Sequence, residues 1–231
     1  KYKKRKPISS LKMICIVQAR TGSQRLPKKV LKKIGKISIL QRIINSLKKV
    51  KHIKKLVIAT TKNRNDLKIV KISKKNNISF FQGDEINVAS RFYEILKNSK
   101  YKYFLRVNGD SPFLDNEIIK KLIKIKNKSN YDIITNVFER TFPKGQSVEI
   151  IKTKIFLNNY KKFKSENDYE HVTSFFYKNY KKFKIYSYKY KTNFSNINLS
   201  VDTKKDLLKI KTIYKGLKNN KPNWILLAKR Y

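Results

Sequence analysis

The chain has 231 residues, with 57 Lys and Arg against 15 Asp and Glu, for a formal net charge of +42 at pH 7. That length allows one α/β domain with a sizeable core, and a single Cys excludes an internal disulfide framework. No apolar run approaches the roughly 20 residues of a bilayer span, so no membrane-spanning segment is expected and the reading is of a soluble, cytoplasmic protein.

Taken in order, residues 1–12 are Lys-rich, with Pro7 and two Ser, and have no apolar stretch of signal-peptide type. They read as a basic lead-in to a domain spanning 13–217. A short apolar run at 13–18 reads as a buried strand. Residues 38–50 carry a helical stripe of Ile39, Leu40, Ile43, Ile44, Leu47 and Val50, with Ser38 as N-cap. Strands follow at 56–60, 78–82, 103–107 and 131–135, alternating with helices at 65–75, 86–96 and 116–126. Beyond Thr135 the pattern becomes strand 147–151, helices 154–163 and 169–179, strands 183–188 and 197–201, and a closing helix at 203–217. The tail 218–231, with Trp224-Ile225-Leu226-Leu227, receives no element. Cys15 reads as a small core residue and His52 as an exposed one.

Strand–helix repeats with short connections imply a mainly parallel sheet, with an αβα three-layer architecture. Ligands of such sheets bind beyond the carboxyl ends of the strands. The loops after Gln18, Thr60, Gln82 and Val107 share that edge.

The first of these loops is Ala19-Arg20-Thr21-Gly22-Ser23-Gln24-Arg25-Leu26-Pro27-Lys28-Lys29. Small residues let backbone N–H groups approach a phosphate, and flanking cations neutralise it. The glycine spacing is neither that of a dinucleotide fingerprint nor that of a Walker loop. Arg20, Arg25 and Lys29 are the candidates for a triphosphate, with Gly22 and Ser23 supplying backbone and hydroxyl donors.

Asn108-Gly109-Asp110-Ser111-Pro112 follows the fourth strand; Asp110 suits a Mg²⁺ held by one or two carboxylates plus phosphates, and the segment is equally a good turn sequence. Asp202 stands where a strand meets a helix, either as a second carboxylate or as a helix cap. Asp206, four residues on, reads as a surface charge.

Arg-x-Gly-Ser-x-Arg-Leu-Pro-x-Lys after a first strand resembles the signature loop of the sugar cytidylyltransferases, especially the spore-coat polysaccharide branch related to CMP-Kdo and acylneuraminate cytidylyltransferases. The likeness runs over 13–217 and implies a single-domain, GT-A-like nucleotide-diphospho-sugar transferase fold. It implies a Mg²⁺-dependent transfer of CMP from CTP to a sugar, expected to be a sugar acid, with release of pyrophosphate, and a homodimer.

Residue by residue, it gives Asp110 and Asp202 to the metal, and Arg20, Lys29 and Asp110 to catalysis. The nucleotide would meet Gln18, Ala19, Arg20, Gly22, Ser23, Arg25, Lys29, Thr60, Thr61, Gly83, Arg91 and Arg106. The acceptor would meet Asn136, Gly145, Glu149, Glu170 and His171, the last two within Glu170-His171-Val172-Thr173. Read from the residues alone, Arg91 is also a helix-surface residue, Arg106 a partner for a buried carboxylate, and His171 a structural histidine. Lys28 stands where relatives have Gly, and Lys204 where they commonly have Pro.

Two other readings compete. The charge, with abundant Tyr and Phe as stacking platforms, would suit a basic nucleic-acid-binding module. Lys is scattered through every segment, as an AT-rich genome would produce, and this disfavours a nucleic-acid partner. The same fold could also use another nucleoside triphosphate.

Overall fold

The computed structural model describes residues 12–217 and 223–231. Its elements in chain order begin with β1 (Met13–Gln18), β2 (Lys33–Ile34), β3 (Ile37–Ser38), α1 (Ile39–Leu47) and β4 (Ile53–Thr61). Then come α2 (Leu67–Lys75), β5 (Ser79–Gly83), α3 (Val88–Leu96), β6 (Tyr103–Asn108), α4 (Asn116–Lys128) and β7 (Ile133–Thr135). The last are β8 (Glu149–Lys152), α5 (Thr153–Tyr160), α6 (Glu166–His171), α7 (Ser174–Lys178), β9 (Ile185–Ser187), α8 (Lys204–Gly216) and α9 (Trp224–Lys229).

Seven strands form one sheet in the order β5-β4-β1-β6-β8-β7-β9, and β2 and β3 form a separate hairpin. β1 pairs in parallel with β4 and β6, and β4 with β5. β8 is inserted antiparallel between β6 and β7. After β1 the chain moves outward through β4 and β5, then crosses back to place β6 on β1's other side. The carboxyl ends of β1 and β6 therefore flank the switch point where such sheets bind ligands.

Strand alternation builds two cores from alternate residues of the same strands. Cys15, Val17, Leu105 and Val107 join side chains of α1, α4, α8 and α9 on one face. Ile14, Ile16, Val57 and Phe104 join Phe92, Phe156 and Phe176 of α3, α5 and α7 on the other. Cys15 is fully buried and its thiol is pushed far up by burial.

The expected helix at 38–50 keeps its Ser38 cap, whose hydroxyl accepts from the Gln41 amide. The expected strand at 197–201 is absent: Leu199 and Val201 are buried, and Asn198 makes only an isolated bridge to Lys144. The expected helix at 169–179 is two helices, because Val172 between them has φ 51 and ψ −47, and the Thr173 N–H bonds to the His171 carbonyl.

The expectation for the lead-in falls almost wholly outside the described residues. In the tail, Trp224 and Leu227 are buried, and Trp224 packs against Phe142, Tyr190 and Phe194. Among the described residues no helix is long and apolar enough to cross a membrane.

Candidate active site

A cleft of about 890 Å³ opens at the switch point. It is lined by the loop after β1, with Arg20, Gly22, Ser23, Arg25 and Lys29, together with Asp110 and Asp202. Its lining also includes Glu85, Ile86 and Arg91, and then Glu166, Glu170 and His171 of α6. Gln18, Ala19, Arg106 and Asn108 form the floor with Gly109. A smaller hollow of about 300 Å³ at the opposite edge, among Leu47, Lys48, Ile53 and Ile78, contains none of these residues.

The charged centre of the cleft is a three-residue cluster. The Lys29 ammonium donates to Asp202 Oδ1 at 2.7 Å and to Asp110 Oδ2 at 3.2 Å. Lys29 sits in a 3-10 turn on the β1 loop, Asp110 follows β6, and Asp202 precedes α8. Their join is closed by the Val201 N–H, which donates to the Asp110 carbonyl at 2.9 Å. Gly109 fits the same join, since a Cβ there would lie 2.7 Å from the Gln18 carbonyl oxygen.

Burial alone would raise the Asp202 pKa, but the hydrogen bond and charge of Lys29, with Arg25 and Ser200, outweigh it and hold Asp202 below the usual carboxylate range. Burial likewise works against the Lys29 ammonium, and the two carboxylates overcome it and raise Lys29 above its ordinary value. Arg25 reaches Asp202 at 3.3 Å from a mostly exposed position.

Asp202 does not cap α8. Thr203 does, in a capping box with Asp206: the Thr203 hydroxyl accepts from the Asp206 N–H, and Asp206 Oδ2 accepts from the Thr203 and Asp202 N–H groups. Asp206 is thus a local organiser rather than the surface charge expected from sequence. It leaves the Asp202 carboxylate free to face the cleft.

Among the described residues no three or more His, Cys, Asp or Glu side chains cluster as a metal cage. Two carboxylates turned to one point nonetheless suit Mg²⁺, which takes one or two protein carboxylates and completes its shell with phosphate and water oxygens. Asp110 and Asp202 are the residues that could hold it.

Around this centre, Arg20 Nη1 donates to the Glu85 carbonyl at 2.8 Å and lies 3.8 Å from the Glu85 carboxylate. A Cβ on Gly22 would fall 2.6 Å from Glu85 Oε1. Glu85, passed over in the sequence, thereby ties the loops after β1 and β5 together. Lys28 takes a left-handed backbone, φ 57 and ψ 27, and its N–H donates to the Thr21 carbonyl.

Arg91 is 2% exposed, leaves Nε without a partner, and has its pKa pushed down to about 10, first by burial and then by Arg20. It is an interior residue at the cleft base rather than a helix-surface one. Gly83 is packed against its stem, with a would-be Cβ 2.8 Å from Arg91 Cγ. Thr60 and Thr61 are also buried, and their hydroxyls donate to Asp66 rather than into the cleft.

The acceptor candidates divide. Glu170 and His171 line the cleft, at the end of α6 just before the turn at Val172. Asn136, Gly145 and Glu149 do not line it. The Asn136 side chain clamps the backbone, donating to the Gln146 carbonyl and accepting from the Val148 N–H. Gly145 has φ 88, and a Cβ would sit 2.6 Å from the Leu199 carbonyl carbon.

Glu149 is buried directly across the β6–β8 ladder from Arg106, which donates to it, and Tyr177 donates to its other oxygen. Arg106 is thus the partner of a buried carboxylate. It also reaches the cleft floor through Gln18, whose Oε1 accepts from Nε at 3.1 Å.

A family model described as Cytidylyltransferase matches residues 14–229. The chain is 33% identical to the uncharacterized protein MJ1063 of Methanocaldococcus jannaschii over 85% of its own length and 80% of the relative's. It is 28% identical to the spore coat polysaccharide biosynthesis protein SpsF of Bacillus subtilis, covering 87% and 86% of the two chains. A 3-deoxy-manno-octulosonate cytidylyltransferase of Rickettsia prowazekii is 32% identical over 53% of this chain and 50% of that one.

Among solved structures, a cytidylyltransferase from Leptospira borgpetersenii superposes with a TM-score of 0.88 at 27% identity, covering 95% and 93%. A CMP:2-keto-3-deoxy-manno-octonic acid synthetase complexed with CTP shares the fold, with a TM-score of 0.68 at 14% identity over 89% and 99% of the two chains.

Proposed function

The chain belongs to the cytidylyltransferase family, and on that premise we propose that it transfers CMP from CTP to a hydroxyl of a sugar, with release of pyrophosphate. A sugar acid is the acceptor class we favour, because the relative from Rickettsia prowazekii is described as a 3-deoxy-manno-octulosonate cytidylyltransferase. The observation that carries the reading is the meeting of Lys29, Asp110 and Asp202 beside the Arg20–Arg25 loop in one cleft.

In the proposed reaction the acceptor oxygen attacks the α-phosphorus in line, the bond from that phosphorus to the bridging oxygen of pyrophosphate breaks, and the hydroxyl proton passes to solvent. Arg20, Arg25 and Lys29 bind the triphosphate and stabilise the charge that gathers on departing pyrophosphate. Glu170 and His171 orient the acceptor from the end of α6. Asp110 and Asp202 would hold Mg²⁺, which when bound supplies charge neutralisation and acidifies a coordinated hydroxyl. No protein nucleophile is required.

The test is pyrophosphate release with each of four nucleoside triphosphates against sugar acids and phosphosugars, with and without Mg²⁺. We expect turnover with CTP and Mg²⁺, and a loss of several orders of magnitude in Asp110→Ala with its melting transition retained. Near-normal Mg²⁺-dependent turnover in that variant would remove Asp110 from the metal site. Turnover with a different triphosphate would replace CTP.

A further inference from the structure

We propose that Asp66 is the positioning residue of the phosphate-facing loop, acting through Thr21. Asp66 sits in the 3-10 turn Arg64–Asp66 behind the cleft, is 1% exposed and does not line the cavity. Its two oxygens serve two different elements. Oδ1 accepts from the Thr21 N–H at 2.7 Å and from the Thr21 hydroxyl at 2.6 Å. Oδ2 accepts from the Thr61 N–H at 3.1 Å, the Thr61 hydroxyl at 2.6 Å and the Thr60 hydroxyl at 2.9 Å. One carboxylate therefore brackets the loop after β1 to the end of β4, an interior strand.

Thr21 is the knot of the loop. While its N–H and hydroxyl go to Asp66, its carbonyl accepts from the Lys28 N–H at 2.8 Å. Arg20 and Gly22, on either side of it, line the cleft. The position of both therefore depends on where Thr21 is held.

Five donors converge on Asp66, so the group must be an acceptor on both oxygens, and only the ionised carboxylate is. Burial alone would raise its pKa, but these hydrogen bonds, Thr21 first, hold it low. An amide of equal size would turn an NH₂ against at least one of the donors.

This inference rests on the proposed nucleotide reading for its binding arm, and its exchange arm needs no nucleotide. In Asp66→Asn the Thr21 amide should exchange with deuterium about tenfold faster, while amides of β1 and β6 keep their protection, a factor in line with losing one buried hydrogen bond. Val70→Ala, a buried α2 change outside the cleft, is the control for general loosening and should leave the Thr21 amide alone. In the binding arm, Thr21→Val should weaken CTP binding by about tenfold by calorimetry, and Thr21→Ser, which keeps both bonds, should restore it.

Unchanged Thr21 protection in Asp66→Asn, or equal deprotection by Val70→Ala, would overturn the proposal. So would Thr21→Val binding CTP as tightly as the wild type. If the wild-type protein did not bind CTP at all, the functional reading would fail and the exchange arm alone would decide the role of Asp66.

Discussion

Lys29→Met separates the cluster's local energetics from the charge of the whole molecule. The substitution keeps an apolar stem and removes the ammonium that joins Asp110 and Asp202 at 3.2 and 2.7 Å. The three side chains are 15%, 22% and 26% exposed, so their contacts are only partly screened. A hydrogen bond to a charged group contributes about 1.5–3 kcal/mol; two of them with partial solvent access, and with the weaker Arg25 contact left to Asp202, give a loss of about 2 kcal/mol. At about 2–4 °C per kcal/mol for a chain of this size, the melting temperature should fall by about 4–8 °C at pH 7.

The dependence on pH has a definite sign. Asp202 lies below its ordinary 3.8, so its contribution is present above that value and is lost as pH falls through the lowered one. Lys29 lies above its ordinary 10.5, so its contribution is present below that value and is lost as pH climbs through the raised one. The gap between wild type and Lys29→Met should therefore be level around neutrality and close as the acid limb is entered. Asp202→Asn in the Lys29→Met background should recover part of the loss.

Removing one cation from a chain of +42 relieves self-repulsion, so the global effect has the opposite sign and cannot produce the loss. Thermal melts of the three proteins from pH 3 to 8 decide the matter. A Lys29→Met protein as stable as wild type at pH 7, or a gap unchanged at pH 3, would refute this reasoning.

Two further changes probe the frame around the site. Lys28→Gly should raise stability by about 0.5–1 kcal/mol, because the left-handed backbone at φ 57 costs a non-glycine residue about 1–2 kcal/mol and glycine gives part of that back as chain entropy; a lower melting temperature would show that the Lys28 stem matters to the loop. Glu149→Ala should cost about 3–5 kcal/mol in urea unfolding, since it strands the buried Arg106 charge; a loss under 1 kcal/mol would mean that Gln18 and water satisfy Arg106.

The sequence was most informative where local and global signals agree. Alternation of apolar strands with amphipathic helices is enough to stack β1, β4, β5 and β6 in parallel, and turn residues then fall at one edge. It could not reveal β8 between β6 and β7, because a strand inserted out of chain order leaves no mark in periodicity. It misled at 197–201, where alternating apolar residues are buried by loop packing rather than by a ladder. The split at Val172 was hidden because a β-branched residue is a poor candidate for positive φ.

Asp66 and Asp206 carried a faint signal, each an Asp near a predicted helix start. Nothing local distinguishes a helix-end carboxylate facing water from one that accepts bonds from a distant loop. Acceptor candidates drawn by likeness, Asn136, Gly145 and Glu149, proved to hold the framework next to the cleft rather than line it.

The excess charge and the cleft perform different physical tasks. A field from +42 draws anions toward every face of the molecule, and salt at 0.1 M screens it beyond about 10 Å. It can raise the local concentration of a nucleotide but cannot choose where that nucleotide comes to rest. The cleft is where the charges alternate: Glu85, Asp110, Glu166, Glu170 and Asp202 line it in a chain with only 15 acidic residues, interleaved with Arg20, Arg25, Lys29 and the buried Arg91. An anion alone gains less there than on a purely basic patch. A triphosphate together with a divalent cation would gain more, because the carboxylates could meet the metal and the guanidinium groups the phosphates. The mixed sign of the lining, rather than the size of the net charge, is therefore what supports the proposed metal–nucleotide substrate over a bare polyanion, and it distinguishes this lining from a surface built on positive charge alone.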